Sequence, residues 1–425
     1  MADEQLGALL RRLTLPIYLP AALYASGAAA IIPVIPLVGL QLGLDVPQVA
    51  LLVTAAGLVA VAGPLPVGQV AARVGERTTL LLGGLVSIAA VTGCLVAALA
   101  GTRGPAPGWA APLFCAGILV MTLGDLTWDL GRQTYLADEI PVQFRARAMT
   151  LFGGTMRVGR IIGPLVGAGV ILVWGVASAF ALHLVAALVA LGLMLRFIPP
   201  RVPVAHTRDA AGPGPQPGRP DVLRPLLLVG GAVLVLTVAR TNRDLLLPLI
   251  GQQFGHSEAV ISLVFAAAAV VELAFILPAG SLMDRFGRAA VLVPCLALMD
   301  VGFWMAPLAT SVAGFVGVSM VFAVGNGLGA GINKTLSADM TPVRNRAGWL
   351  GLWNSYTGSG ALFGPGLVAL ATGIGGVVGA SIVTGWATAA GAAWAMVWLP
   401  RLTPGRRRRA SALSEDGDAS GPGPR

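Results

Sequence analysis

The sequence predicts an all-α membrane protein: twelve transmembrane helices arranged as two homologous six-helix halves. Three observations predict it. Hydrophobic residues make up 56% of the 425 residues and charged residues 11%, and the apolar ones fall in uncharged runs of about 20, the length that crosses a bilayer. Basic residues crowd into alternate loops between the runs, as expected when one side of a membrane retains positive charge. The second half of the chain also repeats the first.

The polar N-terminus MADEQLGALLRR lacks the basic region, apolar core and cleavage site of a signal peptide, so the first apolar run is expected to be a permanent span. Spans are expected at 14–40, 47–72, 78–101, 110–136, 147–174, 177–198, 224–252, 258–283, 289–308, 312–337, 347–372 and 377–399. The odd-numbered loops, around Asp45, Arg103, Gly175, Gly255, Thr310 and Gly373, are short, and Arg103 is their only basic residue. The other side carries Arg11, Arg12, Arg73, Arg77, Arg145, Arg147, Arg285, Arg288, Arg344, Arg346 and the run Arg406 to Arg409. That bias puts both termini in the cytoplasm of a plasma-membrane protein. It also accounts for the net charge of +9 without nucleic acid as a partner. Lys334 is the single lysine among 28 basic residues, a bias that reads as a GC-rich bacterial source.

Four regions follow. Residues 1–198 form an N-terminal six-helix bundle and 224–400 its C-terminal counterpart. Between them, 199–223 is rich in proline and glycine and is expected to be a flexible cytoplasmic linker. The low-complexity stretch 401–425 is expected to be a disordered cytoplasmic tail. Its four arginines fit either a topological stop or a contact with anionic headgroups of the bilayer.

The repeat can be followed residue by residue. At an offset of 212, Pro36-Leu37 falls on Pro248-Leu249, Gly43 on Gly255, Gly68 on Gly280, Arg73 on Arg285 and Gly75 on Gly287. Beyond the longer loop at Gly101 the offset becomes 201: Gly124 falls on Gly325, Asp138 on Asp339, Gly159 on Gly360, and Gly163-Pro164 on Gly364-Pro365. The copies differ in charge. Asp125, Asp129, Arg157 and Arg160 face Asn326, Ala330, Gly358 and Ala361, whereas Arg240, Arg243, Asp244 and Glu272 face Ala28, Ile31, Ile32 and Ala60. A scaffold needs both copies alike, so function is sought where they differ.

GSLMDRFGR, from Gly280 to Arg288, resembles the G-x-L-x-D-R-x-G-R signature found between the second and third helices of each half in the major facilitator superfamily. The first copy keeps Gly68, Arg73 and Gly75 but has Ala72 in place of the aspartate and Glu76 in place of a basic residue. Gly159, Gly163, Pro164 and Gly167, in the fifth span, resemble the motif of the antiporter branches. The resemblance extends over all twelve spans and implies alternating access, a cavity lined by the first, fourth, seventh and tenth helices, and a monomer. It also implies a cytoplasmic latch built from Asp284, Arg285 and Arg288. Topology alone would account for the arginines of the latch, but not for its aspartate and glycines. For the Gly159 to Gly167 stripe, close helix packing and an antiporter role both remain open.

Charges inside the spans are the sharper evidence, because each costs on the order of 2.5–3.5 kcal/mol at a helix centre. Asp129 and Arg132 stand three apart on the fourth span, and Arg240, Arg243 and Asp244 share a face of the seventh. Pairs that lock helices and residues that bind substrate are both compatible with that spacing. Asp125 and Glu272 have no opposite charge three or four residues away. A carboxylate held out of water without a local counter-charge can load and release a proton near neutral pH.

The expected function is therefore secondary active transport, with proton-coupled efflux of small amphipathic compounds or drugs as the first reading. Asp125, Asp129 and Glu272 are the candidate proton carriers. Arg132, Arg157, Arg160, Arg240, Arg243, Asp244, Asn326, Tyr24 and Trp128 are the candidate substrate contacts. Drug antiporters of the superfamily usually carry an arginine early in the fourth span, and none lies between Arg103 and Arg132 here. Uptake or exchange of an organic anion or other metabolite is the alternative, and a non-transporting membrane sensor a third. With three cysteines inside apolar runs and three histidines, no metal site or cofactor is expected. The polar residues are scattered over separate spans, so no enzyme constellation is expected either.

Overall fold

The computed structural model describes residues 12–102, 104–140, 142–198, 220–341 and 346–402. Most of the linker, the tail from 403, Arg11, Arg103 and Arg344 lie outside the described residues, as do the side chains of Ala72, Glu76, Asp138, Arg145, Arg147 and Arg346. Among the described residues there are helices and no strands, since a chain crossing hydrocarbon must satisfy its backbone polar groups within each segment.

The first span runs through Thr14–Tyr18, Leu19–Ile31 and Val34–Gln41, and is interrupted where Pro33 withholds a backbone donor. The second comprises Val46–Ala62 and Pro64–Val74, bent by 45° at Gly63-Pro64. The third to sixth are Glu76–Thr102, Ala110–Glu139, Val142–Trp174 and Ser178–Phe197. The seventh to ninth are Pro220–Gln253, Glu258–Phe286 and Ala289–Met305. The tenth is split into Val312–Leu328 and Ile332–Asp339. Arg346–Gly358 opens the eleventh, and the run Gly360–Leu402 contains both its remainder and the twelfth. Non-helical backbone at Gly375 and Gly376 divides that run. Twelve crossings result among the described residues, with Arg12 and Leu402 towards one face, called the inner face below.

The repeat visible in the sequence is also a repeat of backbone geometry. Gly43 and Gly255 end equivalent spans with φ of 86° and 77°, Gly75 and Gly287 with 82° and 91°, and Gly175 and Gly376 with 77° and 60°. These left-handed values cost glycine least, so each pair fixes one turn in each half. Asp45 and Ser257, also equivalent, cap the second and eighth spans by accepting hydrogen bonds from Gln48 N and Val260 N.

The second span crosses to the eleventh and the fifth to the eighth, and these contacts join the halves. At the outer face Leu37, Val49 and Ala50 of the first half enter the hydrophobic core of the second. Gln41 Nε2 donates to Glu258 Oε1 there at 3.2 Å. At the inner face Pro64–Val74 packs on the third and fourth spans of its own half, and Arg346–Gly358 on the seventh of its own half. Among the described residues, these inner-face segments pack within their own halves, while the outer face joins the two. The exterior is strongly apolar, with Ile374 93% exposed, as a surface covered by lipid should be.

Candidate functional site

The intramembrane charges collect in two clusters, one per half. In the first half the fourth span brings Asp125 towards the first and third spans, where Tyr24 Oη donates to Asp125 Oδ1. Ser87 Oγ donates to the same oxygen at 3.3 Å. No arginine among the described residues forms an ion pair with Asp125. One turn on, Arg132 pairs with Asp129, and its guanidinium lies 5.4 Å from the Tyr24 ring and 5.1 Å from the Trp128 ring. Tyr24 and Trp128 meet edge to face at 4.3 Å.

Three of the expected substrate contacts lie in this cluster, packed against one another. Arg132 and Trp128 are completely buried and Tyr24 is 4% exposed. Their faces are occupied by one another, so in this state they brace Asp125 and offer no open surface to a ligand. Arg157 and Arg160, by contrast, are exposed on the fifth span.

In the second half the seventh span carries Arg240 and Arg243. Arg240 Nε donates to Asn326 Oδ1 at 2.6 Å, and Nη2 to the Asn326 carbonyl at 3.3 Å. Room for this guanidinium comes from Gly329, where a Cβ would lie 2.8 Å from Nη2. Arg243 pairs with Glu272 of the eighth span and, at 3.1 Å, with Asp244. Glu272 lacks a partner on its own helix, but it finds one across the helix interface. Spacing along one helix cannot reveal such a pair.

At the inner face Arg288 grips Asp339 with two hydrogen bonds, 2.7 and 3.3 Å, and donates to the Met283 carbonyl at 3.1 Å. Asp284 is 79% exposed and 3.9 Å from Arg288. Arg285 and Arg73 are exposed, and Arg285 lies over the Phe286 ring at 5.2 Å. The glycines of this motif play two different parts. Gly75 and Gly287 make the turns, but a Cβ at Gly68 or Gly280 would meet nothing within 4 Å.

Two sequence segments, 17–243 and 229–418, match the model of the Major Facilitator Superfamily, and together they span almost the whole chain. The chain belongs to that superfamily. It is a multi-pass membrane transporter and not an enzyme. Among solved structures, a POT family transporter in complex with a thioalcohol-conjugated peptide superposes with a TM-score of 0.73 at 12% identity, covering 94% of this chain and 96% of that one. A D-xylose-proton symporter superposes with a TM-score of 0.69 at 15% identity, covering 92% and 98%. At these identities the likeness is one of fold. A search of curated proteins finds no significant match.

Within this superfamily member, the glycine stripe of the fifth span is a packing surface. A Cβ at Gly159 would lie 2.5 Å from the Ala22 carbonyl oxygen, one at Gly163 would overlap the Ser26 carbonyl, and one at Gly167 would touch Ala30. Pro164 lies inside the same helix. The second stripe behaves alike: Gly360 faces the Leu234 carbonyl and Gly364 the Asn242 side chain. Three polar residues of this transporter escaped the reading of the sequence, Ser87 beside Asp125 among them. Asp339, legible there only as a repeat marker, anchors Arg288. His183, a lone histidine in an apolar run with no motif around it, packs against Tyr24.

Proposed function

We propose that this transporter is proton-coupled, with Asp125 as the residue that carries the proton. One observation supports this above others. Asp129, Asp244 and Glu272 each have an arginine partner, while Asp125 is held by two neutral hydroxyls. A carboxylate bound only by neutral donors can be neutralised without taking charge from a buried cation, whereas neutralising Asp129 would strand Arg132 and neutralising Glu272 or Asp244 would weaken the charge balance around Arg243. We place Asp129 and Glu272 in the supporting ion pairs.

The cargo is a small molecule recognised between the halves, from the plasma membrane or the cytoplasm. The resemblance of the Gly159 to Gly167 stripe to the antiporter motif favours efflux of small amphipathic compounds. The exposed pair Arg157 and Arg160, three apart on one helix face, favours a second reading, exchange or uptake of an organic anion, since the arginines of the second half already have partners. We read the inner-face motif, with Asp284, Arg285 and Arg288, as the latch that closes the cytoplasmic side, and both termini as cytoplasmic.

Flux in proteoliposomes under an imposed pH gradient tests the proposal. Asp125→Asn is expected to abolish gradient-driven accumulation of a panel of cationic dyes and dicarboxylates while sparing their exchange. Accumulation that survives Asp125→Asn and is lost in Glu272→Gln would move the proton site to the second half. The side of the gradient on which cargo accumulates decides between antiport and symport.

A further inference from the structure

His183 is the least satisfied polar side chain near the proposed proton site. It is fully buried, and neither Nδ1 nor Nε2 has a hydrogen-bond partner among the described residues. Stranding buried polar atoms is unfavourable, so pure packing would be served better by phenylalanine or leucine. An unsatisfied group of this kind calls for a functional explanation.

Its position supplies one. The ring lies 4.9 Å from the Tyr24 ring, tilted by 56°, and the Tyr24 hydroxyl already donates to Asp125. The first and sixth spans meet backbone to backbone here, since a Cβ at Gly27 would lie 2.8 Å from His183 Cα. His183 is about 7–8 Å inside the outer end of its helix at Ser178, from a rise of 1.5 Å per residue. It therefore stands between Asp125 and the outer face.

Few ionisable groups compete for this imidazole. The first span presents Tyr24. The fourth contributes Asp125, Asp129 and Arg132 around and behind that ring. The outer part of the third span carries only Cys94, whose thiol points at the Phe114 carbonyl, and residues 161–174 of the fifth span include no ionisable side chain.

We propose that His183 is the outer proton relay of Asp125, unpartnered in this structure and engaged when the outer face opens. A proton from outside binds an imidazole nitrogen. That N–H bond then breaks as the proton passes to the Tyr24 oxygen, whose own proton moves along the existing hydrogen bond to Asp125 Oδ1. Imidazole and phenol end neutral, and the carboxylate becomes a carboxylic acid.

The inference rests on Asp125 as proton carrier, and the test separates the two. In the full-length protein in lipid, a downward pH step is applied and the carbonyl stretch of newly formed carboxylic acid is timed by infrared difference spectroscopy. Asp125→Asn identifies the band. His183→Phe keeps a ring on Tyr24 and removes the stranded nitrogens, so it is expected to fold at least as well as the wild type. His183→Gln retains hydrogen bonding but cannot titrate. The relay requires the Asp125 band to reach the same amplitude at least about tenfold more slowly in both variants. An unchanged rate in His183→Phe overturns the relay and leaves Asp125 as the carrier. No Asp125 band in the wild type overturns the underlying reading.

Discussion

The two halves use one architectural position in opposite ways. In the first, Tyr24 reaches from the first span to Asp125 on the fourth. In the second, Arg240 reaches from the seventh span to Asn326 on the tenth, and Asn326 is the repeat partner of Asp125. Trp128 fills the space beside Tyr24, and its repeat partner Gly329 leaves that space open for the longer arginine. The same joint therefore holds a neutral donor on an acid that can change charge, or a permanent cation on an amide that cannot. On the proposed reading, one half responds to protons at this joint and the other supplies a fixed field. The backbone follows suit: the fourth span is continuous from Ala110 to Glu139, whereas the tenth breaks between Leu328 and Ile332, around Gly329 and Gly331.

The largest effect should come from breaking the fixed side. Arg243 balances Glu272 and Asp244 with its own side chain only 10% exposed. Arg243→Met removes the cation shared by two carboxylates, and breaking a buried pair in this way costs about 3–5 kcal/mol. The expected result is a large fall in the melting midpoint of the purified protein, partly recovered when Glu272→Gln is added. Recovery should exceed the effect of Glu272→Gln alone, because the double variant strands less charge. Equal melting of Arg243→Met and wild type would mean that the pair contributes no stability.

Much of the fold could be read in the sequence, because a bilayer demands long apolar helices and because the chain carries its own internal control. The repeat paired Gly43 with Gly255 and Gly75 with Gly287 before any backbone angle was known, and both pairs take positive φ. The candidate site was less legible. Spacing along a helix grouped Asp129 with Arg132 correctly, since three residues make nearly one turn. It could not join Glu272 to Arg243, Arg240 to Asn326 or Tyr24 to Asp125, because those contacts depend on how helices are rotated against one another. It was also silent on exposure, so Trp128 and Arg132, expected at a ligand surface, turned out to be sealed inside a half.

An intermediate effect should come from Asn326→Leu, which removes the acceptor of Arg240 Nε. A hydrogen bond to a charged group contributes about 1.5–3 kcal/mol, and the guanidinium has no neutral form to adopt. Asp125→Leu removes the acceptor of a phenol instead, and the stranded group is uncharged. The melting midpoint should therefore fall further for Asn326→Leu than for Asp125→Leu. The reverse order would show that the joint of the first half, and not that of the second, carries the structural load.

The smallest effect sharpens the comparison most. Tyr24→Phe keeps the ring against Trp128 and His183 and deletes only the hydroxyl that donates to Asp125, a loss of about 0.5–1.5 kcal/mol for a typical hydrogen bond. Ser87 Oγ remains on the same oxygen, so the protein should fold and bind cargo normally. If the hydroxyl only braces the carboxylate, gradient-driven and exchange fluxes should fall together and slightly. If it lies on the proton's route, gradient-driven flux should fall while exchange, which needs no net proton movement, is spared. Measuring both fluxes on one proteoliposome preparation makes the distinction internal, and no change in either would remove Tyr24 from the coupling machinery.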